Sequence, residues 1–160
     1  MSDLVSIRQA VEARVEGMAS ARGDWPCRKG CDDCCHRLAA IPRVSRTEWE
    51  GIREALDELS REVAEAARAR IRASAEESRP FTCPLLDRDS GTCLIYAARP
   101  VECRTYGFYL ERDRVLGCER IESVAEEQSG VVWGNHETVA EELRGLGPEA
   151  ALHEWLVGVG

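Results

Sequence analysis

Residues 27–36 read Cys27-Arg28-Lys29-Gly30-Cys31-Asp32-Asp33-Cys34-Cys35-His36. Four cysteines fall within nine residues, in the pattern C-x3-C-x2-C-C. Between the thiols stand charged residues and one glycine, so neither the helical period nor the strand period of burial fits the stretch. Such a segment cannot supply a core of its own. It reads as a ligand loop, ordered by whatever its thiolates bind.

Outward from it, Cys83, Cys93, Cys103 and Cys118 follow singly, at steps of ten, ten and fifteen. Short spacings keep the entropy of closing a loop around an ion small, and remote single cysteines complete the coordination shell. Zinc usually takes two compact pairs, and only the first cluster supplies such pairs. Iron–sulfur clusters often take a close triplet with a remote partner, sometimes a cysteine followed by proline. Cys27, Cys31 and Cys34 with Cys83-Pro84 fit that outline, while zinc accepts the same thiols and survives air. The expected cofactor is therefore an iron–sulfur cluster or zinc, with iron–sulfur favoured in anaerobic material. Eight thiols are twice the four that either centre uses. Adjacent Cys34 and Cys35 are expected to point in different directions, serving two ions, or one as a ligand and the other as a packed thiol. An isolated cysteine can also be a small buried hydrophobe. That alternative weighs most for the four remote cysteines.

The rest of the composition narrows the class. The chain has 160 residues, 21 Lys and Arg against 29 Asp and Glu, and a formal charge of -8. This suits a single domain over residues 1–160, with its motif core at 25–118. The acidic balance disfavours a nucleic-acid partner. No apolar stretch is long enough for a membrane span. The opening MSDLVSIRQAVEARVEG carries charges throughout and no signal-like apolar run, so a cytoplasmic protein is expected. Cysteine at one residue in twenty is heavy for a reduced compartment and points to metal or redox chemistry.

Amphipathic patterns flank the thiols. Leu4, Ile7, Val11, Val15 and Met18 predict a helix over residues 3–22. Residues 37–44 are extended at best, because Pro42 cannot donate to a central ladder. Ser45 with Glu48 forms a capping-box signature. Trp49, Ile52, Leu56, Leu59, Val63 and Ala66 continue it as one helix to about Ala75. Residues 107–118 suggest a small hairpin, Phe108–Leu110 against Val115–Gly117. Trp133, His136, Val139, Ala140 and Leu143 share a helical face, and Pro148 suits the first position of a last helix through Trp155. The expected fold is mainly α with little β: helices around a loop-rich, metal-stapled centre built from residues 25–45 and 80–118.

The order of the motifs is itself informative. C-x3-C-x2-C-C, then Cys83-Pro84-Leu85-Leu86, then Cys93-Leu94-Ile95-Tyr96-Ala97-Ala98-Arg99-Pro100-Val101-Glu102-Cys103-Arg104, resembles the YkgJ-type cysteine-cluster family. That family is described as zinc- or iron-chelating, and a similar domain occurs in flagellin lysine N-methylase. The resemblance runs from Cys27 to Cys118 and implies a bound metal or iron–sulfur centre, without implying a reaction.

Arg99 and Arg104 flank Cys103. A four-thiolate centre carries net charge near -2, so both arginines are candidates for donating to thiolate or cluster sulfur. Ordinary ion pairs are the alternative. Tyr96 and Tyr106 are expected to pack around the site. His36 is a candidate fourth ligand beside three thiols, though an exposed loop histidine is the simpler reading. Asp32 and Asp33 are expected to be solvated, and His136 and His153 structural. The C-x3-C-x2-C spacing also matches the radical S-adenosylmethionine enzymes, but no long α/β barrel follows it. No phosphate loop, nucleophile elbow or H-E-x-x-H is present. The leading expectation is a metal-binding protein, its centre structural, electron-transferring, sensing or carrying, with enzyme activity left open. The alternatives are a methyltransferase or redox catalyst with the cluster in its active site, and a thiol switch at Cys34-Cys35.

Overall fold

In a computed structural model, residues 3–158 are described and form seven α-helices and seven short strands. In chain order these are α1 (Leu4–Ala21), β1 (Arg43–Ser45), α2 (Arg46–Asp57), α3 (Arg61–Ala73), β2 (Leu86–Asp87), β3 (Thr92–Cys93), α4 (Val101–Thr105), β4 (Tyr109–Glu111), β5 (Arg114–Val115), α5 (Glu119–Glu127), β6 (Gly134–Asn135), α6 (His136–Arg144), β7 (Glu149–Ala151) and α7 (Leu152–Val157). The mainly α expectation holds, because no strand exceeds three residues. Residues group into two compact units, each with its own apolar core. The first takes in residues up to Cys31 and Val101–Leu146; the second takes in Asp32–Pro100 and residues from Gly147 on.

The first unit is organised by α1. Asp3 caps the helix by accepting from the Ser6 N–H at 2.8 Å. Leu4, Ile7, Val11 and Met18 are its buried stripe, and they meet Trp25, Val101, Phe108, Tyr109, Ile121, Val139 and Leu143. Strand β4 pairs antiparallel with β5, Leu110 opposite Val115, and parallel with β6, Tyr109 opposite Gly134. The two-residue turn of this hairpin holds Arg112 and Asp113 at φ 48° and 62°, the left-handed pair that a tight hairpin of right-handed twist demands. Gly134 is a glycine because a Cβ there would occupy the Tyr109 ring. The expected hairpin is present, and β6 is an addition that its two residues could not announce.

The second unit corrects two helix boundaries. The stretch expected as one helix to Ala75 is two. Helix α2 opens on the capping box: Ser45 Oγ accepts from the Glu48 N–H, and Glu48 Oε2 accepts from the Ser45 N–H at 3.0 Å. It stops at Asp57, and Ser60, in extended geometry, accepts from the Val63 N–H to start α3. A serine hydroxyl satisfying a first-turn N–H outcompetes continuation of the helix through it. The apolar stripe therefore restarts on Ala64, Ala67 and Ile71, leaving Val63 exposed. The second correction is at Pro148, which precedes a strand and not a helix. Strand β7 pairs antiparallel with β1, Val44 opposite Ala150, and α7 begins after it at Leu152. Pro42 lies just outside β1, as its missing N–H requires. Ile52, Leu56, Ile71 and Leu152 are completely buried at the centre of this unit, with Trp155 donating to the Val44 carbonyl at 2.9 Å.

Candidate metal centre

Three local structures bring Cys34, Cys35, Cys83 and Cys93 together in the second unit. The first is a 3-10 turn over Asp33–His36, closed by the Cys35 N–H donating to the Asp32 carbonyl at 2.8 Å. The second is a pair of extended segments. Leu38 and Phe81 exchange both backbone hydrogen bonds, at 2.8 and 3.1 Å, and the Cys83 N–H donates to the Cys35 carbonyl at 2.6 Å. This ladder lays Cys35 beside Cys83. The third is the β2–β3 hairpin, which sets Cys93 opposite Leu86, while the Leu86 N–H donates to the Cys83 carbonyl at 3.1 Å. Cys83 and Cys93, ten residues apart in sequence, thus become neighbours through a tight turn.

The four thiols interact with one another. Cys34 and Cys35 share a thiol–thiol hydrogen bond, and that bond, together with burial and the like charge Cys35 would carry, raises the Cys34 pKa well above an ordinary thiol. On Cys35 the largest single influence is the bond from Cys34, which lowers its pKa. The thiol bond to Cys83, burial and the nearby charges of Cys83 and Cys93 outweigh it and push Cys35 up to about 12. Burial raises Cys93, opposed by a backbone N–H at Ile95 and by the Arg99 charge. Several acids crowded out of water cannot all ionise unless a cation joins them.

The expectation that Cys34 and Cys35 point apart is therefore overturned. Successive side chains in a 3-10 turn lie roughly 120° apart around the axis, not on opposite faces as in a strand, so two neighbouring thiols can swing together. Among the described residues, no three Cys, His, Asp or Glu side chains stand as a ready ligand set around one point. Cys34, Cys35 and Cys83 are instead linked by thiol–thiol hydrogen bonds, with Cys93 close enough to feel their charge.

The remaining cysteines belong to the first unit. Cys27 Sγ donates to the Tyr106 carbonyl at 3.5 Å, and its side chain packs against the first core together with Cys118. Cys118 is the residue immediately before α5. Cys103 is exposed on α4. Cys31 closes a turn, its N–H donating to the Arg28 carbonyl at 3.0 Å. No cysteine is in a disulfide.

The two arginines part company. Arg99 stacks 3.8 Å above the Tyr96 ring, donates to the Tyr96 carbonyl at 3.3 Å, and faces Cys93 electrostatically. Arg104 is buried in the first unit, where it ion-pairs with Glu12. Tyr106 donates to the Gly117 carbonyl at 3.1 Å. His36 is half exposed and its Nε2 lies 2.9 Å from Asp32 Oδ2, so Asp32 is tied to a partner where solvation was expected. Leu38 and Phe81, whose ladder aligns Cys35 with Cys83, carry no sequence signal, since one bridge gives no periodicity.

No curated protein and no solved structure matches the chain. Residues 26–130 match the family of CxxCxxCC domains, described as a "putative zinc- or iron-chelating domain". The matched segment includes every cysteine of both sets.

Proposed function

We propose a metal-holding function for this chain, which belongs to the CxxCxxCC family of zinc- or iron-chelating domains. Cys34, Cys35, Cys83 and Cys93 are the ligands of its principal centre, a zinc ion or an iron–sulfur cluster. One observation carries this reading: a 3-10 turn, an extended pair and a hairpin bring four half-buried thiols within electrostatic reach of one another. As donors they suit either metal, since four sulfurs are the shell that tetrahedral zinc and cubane clusters both use.

The chain's own residues do the rest. The Leu38–Phe81 ladder and the β2–β3 hairpin hold the sulfurs in place. Arg99 offsets the negative charge that four thiolates would accumulate, and Tyr96 beneath its guanidinium fixes its direction. Bound zinc would supply a redox-inert staple, and an iron–sulfur cluster a one-electron couple. Proton release accompanies metal uptake, because Cys34, Cys35 and Cys93 hold their protons in this fold and would bind a metal as thiolates.

The test is anaerobic purification from iron-replete cells, with elemental analysis, sulfide assay and an absorption spectrum. A broad band near ~400 nm with acid-labile sulfide identifies an iron–sulfur centre. Colourless protein with stoichiometric zinc identifies the zinc form. Protein that carries neither metal, and takes up neither on reconstitution, overturns the reading.

A further inference from the structure

We infer that the first unit carries a second thiolate site of its own, in which Cys27, Cys31, Cys103 and Cys118 take a thiophilic divalent cation independently of Cys34, Cys35, Cys83 and Cys93. The inference rests on the metal-holding reading above and divides its eight thiols into two sets of four.

Tyr106 is the hub of this second set. Its carbonyl accepts from Cys27 Sγ at 3.5 Å. Cys103 lies three residues before Tyr106, in the short helix α4, so the two are about one helical turn apart. On the other side, the Gly107 N–H donates to the Leu116 carbonyl at 2.5 Å, and Tyr106 Oη donates to the Gly117 carbonyl at 3.1 Å. This ladder lays residues 106–107 against 116–117 and brings Cys118 to the same end of the hairpin. Cys31 joins through the turn that starts at Arg28, the residue after Cys27, with Gly30 at φ 91° supplying the left-handed step.

Two features hold Cys27 at the hub. Trp25, two residues earlier, is buried against Phe108 and Trp133 and donates its indole N–H to the Gly107 carbonyl at 3.2 Å. Gly107, at φ 90°, keeps open the space beside Cys27: a Cβ on it would lie 2.7 Å from Cys27 Sγ and 2.9 Å from Cys27 Cβ. The backbone carries no side chain at the point where Cys27 approaches it.

Anaerobic titration of the reduced, metal-free full chain with zinc alone tests the division, with bound zinc counted by a chromogenic chelator and each thiol scored by alkylation and mass spectrometry. Four thiolates per ion predict about two zinc ions per chain. Cys103→Ser is exposed and should fold; it should lower uptake to about one and open Cys27, Cys31 and Cys118 to alkylation, leaving the other set protected. Cys93→Ser should do the reverse. Cobalt(II) titration of the wild type, which needs no variant to fold, should show thiolate charge-transfer absorption rising to about two equivalents. Saturation at one ion with Cys27, Cys31, Cys103 and Cys118 still reactive, or loss of all metal in either variant, overturns the division while leaving the metal-holding function intact. No uptake of zinc or cobalt, with no iron centre in the native protein, overturns both.

Discussion

The two sets of cysteines are delivered in opposite ways. In the second unit the sulfurs address each other, and the backbone around them is a scaffold of turns: Cys34 and Cys35 on a 3-10 turn, Cys83 on an extended segment, Cys93 on a hairpin. In the first unit Cys27 addresses the backbone carbonyl of Tyr106, just before the β4–β5 hairpin, and Cys118 follows that hairpin. The difference is one of preparation. Thiols already bonded among themselves need only exchange protons for a cation. Thiols held by backbone groups must first turn away from them. The second-unit set should therefore bind more tightly and depend more steeply on pH.

The largest expected effect attacks the link of the second set. Cys35 stands between Cys34 and Cys83 in the chain of thiol contacts. Loss of a residue that merely orients a ligand typically costs 10–100-fold in metal affinity. Cys35→Ser removes a ligand itself and should weaken metal binding at that set by more than ~100-fold, with Cys34→Ser as damaging. Equilibrium competition with a chelator measures both. A mild Cys35→Ser beside a severe Cys34→Ser would make Cys35 a packed thiol and break the contrast between the two sets.

The next effect belongs to the first unit. Gly107→Ala places a Cβ against Cys27 at a backbone angle that L-residues rarely adopt. A loss of about 1–3 kcal/mol of stability is expected from the conformation alone. Denaturant unfolding gives the magnitude, and cobalt spectra of the same variant show whether the loss also reaches Cys27. A change confined to stability would mean Gly107 serves only the hairpin.

How much of this was visible beforehand follows from the range of the interactions. Helix α1 was legible because Leu4, Ile7, Val11 and Met18 write a 3.6-residue period over several turns. The capping box of α2 was legible because Ser45 and Glu48 are three residues apart. The cysteine loop was legible as a stretch with no core of its own, since polar residues fill the spaces between its thiols. Which cysteines the fold brings together was not. Whether Cys93 faces Cys83 or Cys103, each ten residues away, is decided by the Leu86–Cys93 pairing in a two-residue ladder. The ladder between Leu38 and Phe81 spans over forty residues and rests on one bridge. Strand β6 is Gly-Asn, a pair that reads as a turn and pairs only because Tyr109 lies over the glycine. Arg99 and Arg104 look alike in sequence, yet Glu12, far away on α1, takes Arg104 into an ion pair.

Alkaline pH sharpens the comparison without any mutation. In the metal-free fold Cys34 and Cys93 are raised and Cys35 is pushed up to about 12, whereas an unfolded thiol ionises near ~8.5. A group whose folded pKa lies higher holds its proton in the folded state after the unfolded state has lost it. The stability it contributes is full below ~8.5 and is lost as pH rises from there towards about 12. Metal-free protein should therefore lose melting temperature progressively across that window. Metal-loaded protein should hold its melting temperature there, because its thiols have already given up their protons. It should weaken on acidification, when protons compete for sulfur. Thermal scans of both forms against pH check the crossing of the two curves.

The smallest effect asks whether the thiol half of the second unit depends on its helical half. Ser60 ends one helix and starts the next: it stands in extended geometry, and its hydroxyl accepts from the Val63 N–H at 3.4 Å. Ser60→Ala removes that cap and should cost about 1 kcal/mol. The residue is exposed, so no cavity adds to the loss. Arg70, near the far end of α3, donates to the Pro84 carbonyl at 2.9 Å and thereby ties the helix to the residue after Cys83. Fraying at the start of α3 lies more than two turns from that bond, beyond the first-turn reach of a capping defect. Ser60→Ala should therefore lower the denaturant midpoint while chelator competition gives an unchanged metal affinity. A parallel fall in both would mean that the thiols are held by the helix pair as a whole, and that the turns around Cys34, Cys35, Cys83 and Cys93 do not keep their geometry by themselves.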